Sequence, residues 1–348
     1  MPRALIRRGA GRLTTRLAAL LPALLVLGGC ATAEPAPPGG RYSFGLWGDM
    51  PYHRFGDEAR LPAVLASLNR ADLAFTIHIG DIKDGGSKCV DAVYTDALRM
   101  FGQLQRPAVY LPGDNEWTDC HRLSNGGFDA LERLAHLRRV MYPSLDSLGQ
   151  QPMALEHQGG LGQPYVENLR FSLGPVLYVG LNVPGSNNNL VLDERECSDR
   201  SARRAPQCEA ANAEQRERDD ANLAWLQQSF DLARERGLRG IAIAFQADPG
   251  FDLAETEGVD ESQAPGYRGY RRLMAGIARL TADFDGQVLL LHGDTHVFKH
   301  DQPLHGPTRL LPNFSRVETF GSPLLHWVRI TVDPGSAALF QVEPVIVP

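Results

Sequence analysis

Lysine is almost missing from this chain. Of 35 basic residues, only Lys83, Lys88 and Lys299 are lysines, and arginine supplies the rest. That rules out a lysine-coated surface. It also draws attention to the three positions, because each follows closely on a run that ends in Gly-Asp. A compact ammonium can meet a phosphate or a carboxylate cluster where a planar guanidinium does not fit. Chance placement of three residues is the bland alternative. Long apolar runs are also lacking. The longest, "LAALLPALLVLGG" (17–29), has thirteen apolar or small residues, whereas a bilayer-spanning helix needs ~20. Cysteine is sparse, five in 348 residues, and never spaced C-x-x-C, which removes the usual zinc frameworks. Positive charge is in deficit. The formal net charge is −6, and the first 29 residues hold five arginines and no acid, so the remainder stands at −11. Such a chain is a poor general nucleic-acid binder, and a phosphate ligand would need cations supplied locally.

The basic start, Arg3 to Arg16, followed by the short apolar stretch, reads as an export signal. It ends in "LGGC", which resembles a bacterial lipoprotein box. The resemblance implies cleavage before Cys30, lipid on Cys30, and a place in the cell envelope, periplasm or outer membrane. The only membrane contact expected is through that lipid. "ATAEPAPPGG" then forms a Pro/Gly tether, so that 1–29 is leader, 30–40 tether and 41–348 a single domain. Four cysteines remain, an even number suited to an oxidising compartment. Cys197 and Cys208 lie close together in one polar segment and are expected to pair, which leaves Cys89 with Cys120.

Strand-like runs recur at 42–48, 73–79, 107–111, 175–181, 239–245, 287–292, 315–320, 326–332 and 338–343. Helical spacing is found over 58–70, 93–105, 219–237 and 269–284. Their alternation predicts an α/β fold, with strands alone toward the C-terminus. Residues 184–218, poor in large apolar side chains, read as a surface excursion. Four apolar runs end in Gly-Asp: "LWGDM" gives Asp49, "IHIGDI" Asp81, "YLPGDN" Asp114 and "LLLHGDTH" Asp294. One Gly-Asp alone is usually a turn. Four at strand ends would converge in one crevice, where their carboxylates repel one another unless cations bind or protons stay on.

In order and spacing, "GDMPY" (48–52), "GDIKDG" (80–85), "GDNE" (113–116), "AFQADP" (244–249) and "GDTH" (293–296) resemble the motifs of the calcineurin-like metallophosphoesterase superfamily. The resemblance implies a four-layer α/β/β/α sandwich of two mixed sheets flanked by helices. It implies Asp49, Asp81 and His296 as ligands of one metal ion, with Asp81 bridging to a second ion held by Asp114, Asp294 and Gln246. Several positions depart from the pattern. Asp114 replaces a ligating Asn, Asp294 a His, and Gln246 a His. Pro51 replaces a His, as non-His residues do in purple acid phosphatases. Those enzymes use a Tyr three residues after the bridging Asp, and here that place holds Asp84, a further ligand by this reading. An oxygen-rich set favours two hard divalent ions, Mn²⁺ or Mg²⁺, with Ca²⁺ or Fe as alternatives.

Asn115 stands where the family has a His that contacts phosphate. Asn can donate a hydrogen bond but cannot transfer a proton at neutral pH. His121, His292 and His53 are the nearby substitutes for that role. Lys83, Arg122 and Asn182 are the expected substrate contacts, with the loop "NVPGSNNN" (182–189) lining the cleft. The expected activity is hydrolysis of a small phosphate mono- or diester, with no sequence-specific nucleic-acid binding. The rivals are a protein of this fold that binds metal or a phosphorylated ligand without turnover, and a Ca²⁺-stabilised structural lipoprotein.

Overall fold

The computed structural model describes residues 40–251, 261–306 and 309–348. The leader and all of the tether but Gly40 lie outside them. Two sheets dominate. In the first, β1 (Tyr42–Trp47), β2 (Thr76–His78) and β3 (Ala108–Tyr110) run parallel. β13 (Trp327–Val332) joins β1 antiparallel, and β14 (Phe340–Val345) joins β13. The second sheet begins with β4 (Glu156–His157), β5 (Leu169–Leu173) and β6 (Val176–Gly180), all antiparallel. β7 (Gly240–Ala244), β8 (Gln287–His292) and β12 (Phe314–Glu318) continue it in parallel, and β9 (Lys299–Asp301) closes the edge. A short pair, β10 (His305–Gly306) and β11 (Arg309–Leu310), stands apart.

Side chains alternate along each strand, so each sheet offers one face to the other and one to helices. Between the sheets lie Phe44, Leu46 and Ile77 from one and Tyr178, Ala242, Leu289 and Leu291 from the other. Trp47 points the opposite way, against α1 (Leu61–Arg70), α2 (Asp91–Phe101) and α3 (Ala130–Met141). Ile241, Ile243, Val288 and Leu290 face α6 (Ala205–Glu235) and α7 (Arg271–Ala282). The result is the expected four layers, helix on sheet on sheet on helix. α4 (Gly185–Asn188) and α5 (Glu194–Ser198) are short turns between β6 and α6.

The span 184–218 is not a surface excursion throughout. α6 starts at Ala205, fourteen residues before the apolar periodicity begins. Its early turns bury polar groups: Arg218 donates to the carbonyl oxygens of Asn182 (3.0 Å) and Asn188 (3.1 Å), and Asn222 to that of Asn182 (3.0 Å). A helix whose packed face is polar has no hydrophobic stripe to announce it. α3 and the strands β4, β5 and β9 lie outside the runs read from the sequence. Among the described residues no helix is long and apolar enough to cross a membrane.

Candidate metal centre

Asp49, Asp81 and Asp114 follow the parallel strands β1, β2 and β3, and Asp294 follows β8. Parallel strands end together, so all four loops open on one edge of the sandwich. Carboxylate oxygens of Asp81, Asp114 and Asp294 lie within 4.8 Å of one another. The backbone nitrogen of Asp294 donates to Asp49 Oδ2 at 3.2 Å, which brings Asp49 into the group. The Gly of each Gly-Asp serves a neighbour as much as its own turn. A Cβ on Gly113 would collide with the Asp81 carboxylate, and one on Gly293 with that of Asp49. Asp49, Asp81, Asp294 and His296 all have left-handed backbone, φ 49°, 58°, 81° and 69°. Such conformations are costly for non-glycine residues and concentrate at functional sites.

Asp49, Asp81 and Asp114 are buried and Asp294 is partly exposed, and the cation that faces them is Lys83, buried and beyond ion-pair distance. Asp49 is 0% and Asp81 2% exposed, and Asp49 Oδ1 has no hydrogen-bond partner. Among the described residues no Lys or Arg makes an ion pair with any of the four. His296 Nε2 lies 3.9 Å from Asp49 Oδ1, and burial lowers that histidine below its ordinary value. Burial, reinforced by repulsion, raises three of them well above the usual carboxylate range. For Asp49 the repelling charge is chiefly Asp294, and for Asp81 and Asp294 it is chiefly Asp114.

A second acidic cluster nearby makes the contrast. Asp248, His292 and Glu318 also converge within 4.8 Å. There, however, Arg316 Nη1 lies 3.7 Å from Asp248 Oδ2, 3.7 Å from Glu318 Oε2 and 3.4 Å from His292 Nε2. Lys299 adds a second cation 3.2 Å from Glu318. One cluster has cations of the protein in ion-pair range; the other has none among the described residues.

Three supports hold the first cluster. Glu116 Oε1 accepts from the backbone nitrogens of Asp81 (3.1 Å) and Gly113 (2.7 Å) and from the Tyr110 hydroxyl (2.9 Å). His296 Nδ1 hydrogen-bonds Ser322 O at 2.6 Å, which leaves Nε2 facing the carboxylates. Cys89–Cys120 joins the loop after Asp81 to the loop after Asp114, and Cys197–Cys208 ties α5 to the start of α6.

Asn115 is in place. Its Nδ2 donates to Asp81 Oδ2 at 2.6 Å and to the Tyr52 hydroxyl at 3.1 Å. Arg122 is at the rim, paired with Asp119 at 2.5 Å and donating to Ser186 Oγ at 3.1 Å. The other expected residues have their own partners. The carboxylate of Asp84 accepts from Gly86 N (2.8 Å) and Ser87 Oγ (2.6 Å) of its own turn. Gln246 is oriented by Gly185, whose N–H donates to the amide oxygen (2.5 Å). Its Nε2 therefore faces Asp294 Oδ1 (3.0 Å). His292 lies in the Arg316 cluster, and burial and Arg316 push it well below its ordinary value. His121 is turned to Ser201 Oγ (2.8 Å), and burial, Arg203 and Arg122 lower it to about 3. His53 pairs with Glu58 at the surface. Asn182 is wholly buried and donates to Glu167 (3.0 Å). Lys83, 1% exposed, donates to the Asp84 carbonyl oxygen (2.9 Å) and serves as an internal counter-charge.

Two residues escaped the sequence reading. Tyr52, at the end of "GDMPY", donates its hydroxyl to Asp81 Oδ2 (3.1 Å) and lies 3.4 Å from His296 Nε2. Its backbone is held by Asp57, whose Oδ2 accepts from Tyr52 N at 2.7 Å. Ser186 Oγ contacts Asp114 Oδ2 (2.7 Å) and Asp119 Oδ1 (2.8 Å). It opens a run of four left-handed residues, 186–189, with φ between 52° and 65°. Three of the four are Asn, the side chain that best tolerates this backbone after Gly.

No family model matches the chain, and no curated protein matches it. Among solved structures, PhoD is similar at a TM-score of 0.53 and 12% identity, over 86% of this chain. The chain spans 65% of the length of that PhoD chain. TT1561 of Thermus thermophilus (TM-score 0.43, 14% identity, 89% of this chain and 100% of that one) is more distant. So is a 5'-nucleotidase from Candida albicans (0.39, 9%, 87% and 50%), and neither carries an argument. With its two facing mixed sheets and its likeness to PhoD, the chain shares the fold of PhoD, an α/β/β/α sandwich.

Proposed function

We propose that this chain is a metal-dependent phosphoesterase acting on small phosphate esters. The observation that carries the reading is the group of four carboxylates, three of them buried, with no described Lys or Arg in ion-pair range, beside a similar cluster that has one. Asp49, Asp81, His296 and the Tyr52 hydroxyl oxygen would hold one divalent ion. Asp81, Asp114 and Asp294 would hold the other. Ions bound there lower the pKa of a bound water and offset charge on a phosphoryl group. The donor set is mostly carboxylate oxygen, which suits Mn²⁺ or Mg²⁺.

The chain's own groups then set the selectivity. Arg122 stands at the rim with guanidinium N–H donors for phosphoryl oxygens, and Ser186, whose hydroxyl proton goes to a carboxylate, accepts from it. Asn115 orients Asp81 and can donate to a phosphoryl oxygen, but it cannot protonate a departing alkoxide. His121 and His292 are held neutral and face elsewhere. Turnover therefore favours leaving groups that depart as stable anions. A second reading, ligand binding without turnover, is favoured by the same observation, because His296 is the only described histidine that reaches the carboxylates.

Metal content measured by mass spectrometry, with turnover of aryl phosphate mono- and diesters across a panel of divalent ions, separates the two. Asp81→Asn should empty both metal positions, whereas Asp49→Asn and Asp294→Asn should each empty one. Full occupancy in Asp81→Asn would sink the metal reading. Full occupancy in the wild type without turnover would leave the binding protein.

A further inference from the structure

The large apolar side chains that reach water are not spread evenly. Eight stand exposed among the described residues. Five of them, Phe55, Val90, Leu123, Val297 and Leu324, are on loops that carry or flank the four carboxylates and His296. Leu161 and Ile346 lie at the same edge, farther out. Leu161 is in the turn into β5, whose first residue pairs with Gly180 at the end of β6. Ile346 follows Val345, which pairs with Trp327 at the start of β13. Of the eight, only Leu145 is elsewhere, just before Leu148, which pairs with Ala108 at the start of β3. Single exposed apolar residues need no explanation, but their gathering at one edge does.

The loops concerned are tied in pairs. Arg60 Nη1 donates to Pro323 O at 2.6 Å, which joins the Phe55 loop to the Leu324 loop beside Asp49 and His296. Cys89–Cys120 joins the Val90 loop to the Leu123 loop beside Asp81 and Asp114. The carboxylate group opens on this edge, since Asp294 and His296 are partly exposed. The charge here runs against that of the acidic chain. Arg54, Arg60 and Lys88 are exposed on these loops, and among the described residues none makes an ion pair. The Arg54 guanidinium lies over the Phe55 ring, 4.5 Å from its centre. The exposed acids there are otherwise engaged: Glu58 pairs with His53, and Asp129 caps α3. The acidic stretch 193–199, between β6 and α6, has no exposed large apolar side chain and forms the flank that stays in water.

We infer that this edge docks on an anionic lipid surface, and that the phosphoester acted on is the headgroup ester of a lipid in that surface. The docking half stands on the surface features alone; the substrate half rests on the phosphoesterase reading. Apolar side chains on separate loop tips leave gaps that a rigid partner would have to fill, whereas a fluid lipid layer conforms to them. They insert among the lipids while the cations meet the phosphates.

The test is vesicle co-sedimentation of the full chain, on a Cys30→Ser background so that no N-terminal lipid contributes. Vesicles of equal parts phosphatidylglycerol and phosphatidylcholine should bind it about tenfold or more tighter than phosphatidylcholine alone, because each cation near an anionic surface is worth about fivefold. Chelator should leave that binding in place. Val90→Ser with Leu324→Ser should weaken it about tenfold or more, and Arg54→Gln with Lys88→Gln roughly 25-fold. Leu145→Ser should leave it unchanged. Val90 is the N-cap of α2, a position that serine favours, so the apolar pair should fold; Phe55→Ser with Leu123→Ser is the second pair. The proposal is overturned if neither vesicle binds, if the two bind alike, if both apolar pairs bind as the wild type does, or if Leu145→Ser loses as much. It is overturned too if the rim variants only split a dimer of this chain. Anionic vesicle binding without turnover of any ester would keep the docking face and remove the hydrolytic half. Turnover of soluble aryl phosphates without vesicle binding would do the reverse.

Discussion

Replacing Asp114 by Asn should stabilise the metal-free protein and destabilise the metal-loaded one. Asp114 is the chief repelling charge on both Asp81 and Asp294. Two unit charges at the outer separation of 4.8 Å repel by about 3.5 kcal/mol at an effective dielectric of 20. Shared protons reduce that figure, so a net gain of about 1–3 kcal/mol is expected once chelator has removed metal. The local structure should tolerate the change, because the one side-chain bond of Asp114 comes from Ser186 Oγ, and an amide oxygen accepts it equally well. In scanning calorimetry the gain reads as a rise of roughly 2–6 °C. Added Mn²⁺ should then raise the wild type more than the variant. A site filled at a hundred times its dissociation constant contributes about 2.7 kcal/mol.

The pH dependence follows from the same charges. Asp49, Asp81 and Asp294 are raised in the folded state, so the folded chain holds protons that the unfolded chain has released. The stability they contribute is complete below the ordinary carboxylate range and is lost as pH rises through the raised values. Chelated wild type should therefore melt higher as pH falls from about 8 toward about 5, and saturating Mn²⁺ should flatten or invert that slope. An apo protein indifferent to pH and to Mn²⁺, with Asp114→Asn melting like the wild type, would refute the reasoning.

Tyr52→Phe removes the hydroxyl between Asp81 and His296, and it should lower metal occupancy at the Asp49 position about tenfold or more while the Asp114 position stays filled. Equilibrium dialysis at graded Mn²⁺ checks this. Arg316→Met should cost about 3–5 kcal/mol in urea unfolding, because it leaves Asp248 and Glu318 buried without their guanidinium. Unchanged stability would show that those acids carry protons in the native state.

Much of the architecture is legible because it repeats locally. Apolar runs closed by Gly-Asp reveal both the strands and the edge at which they end. Asp49, Asp81, Asp114 and Asp294 can be found this way, since the signal sits in two adjacent residues. What decides the remaining residues is not local. Asp84 stands at a position suited to a ligand, yet two donors within three residues capture it. Gln246 is turned by Gly185, sixty-one residues away in sequence. Tyr52 and Ser186 reach the carboxylates only through backbone turns that no periodicity marks. The early half of α6 stays hidden because hydrogen bonds, not apolar side chains, hold it.

The Cys89–Cys120 bond bears on the order of assembly. It adds a covalent link between the two loops that carry Asp81 and Asp114, which Glu116 and Asn115 already join by hydrogen bonds. In a reducing compartment those cysteines stay open and hydrogen bonds alone join the loops. Bringing two buried like charges together is then opposed, with no covalent link to enforce it. On the proposed metal reading, oxidation before loading locks the centre and strengthens its hold on the ions. A newly made chain would then bind metal more weakly in the compartment of its synthesis than where disulfides form.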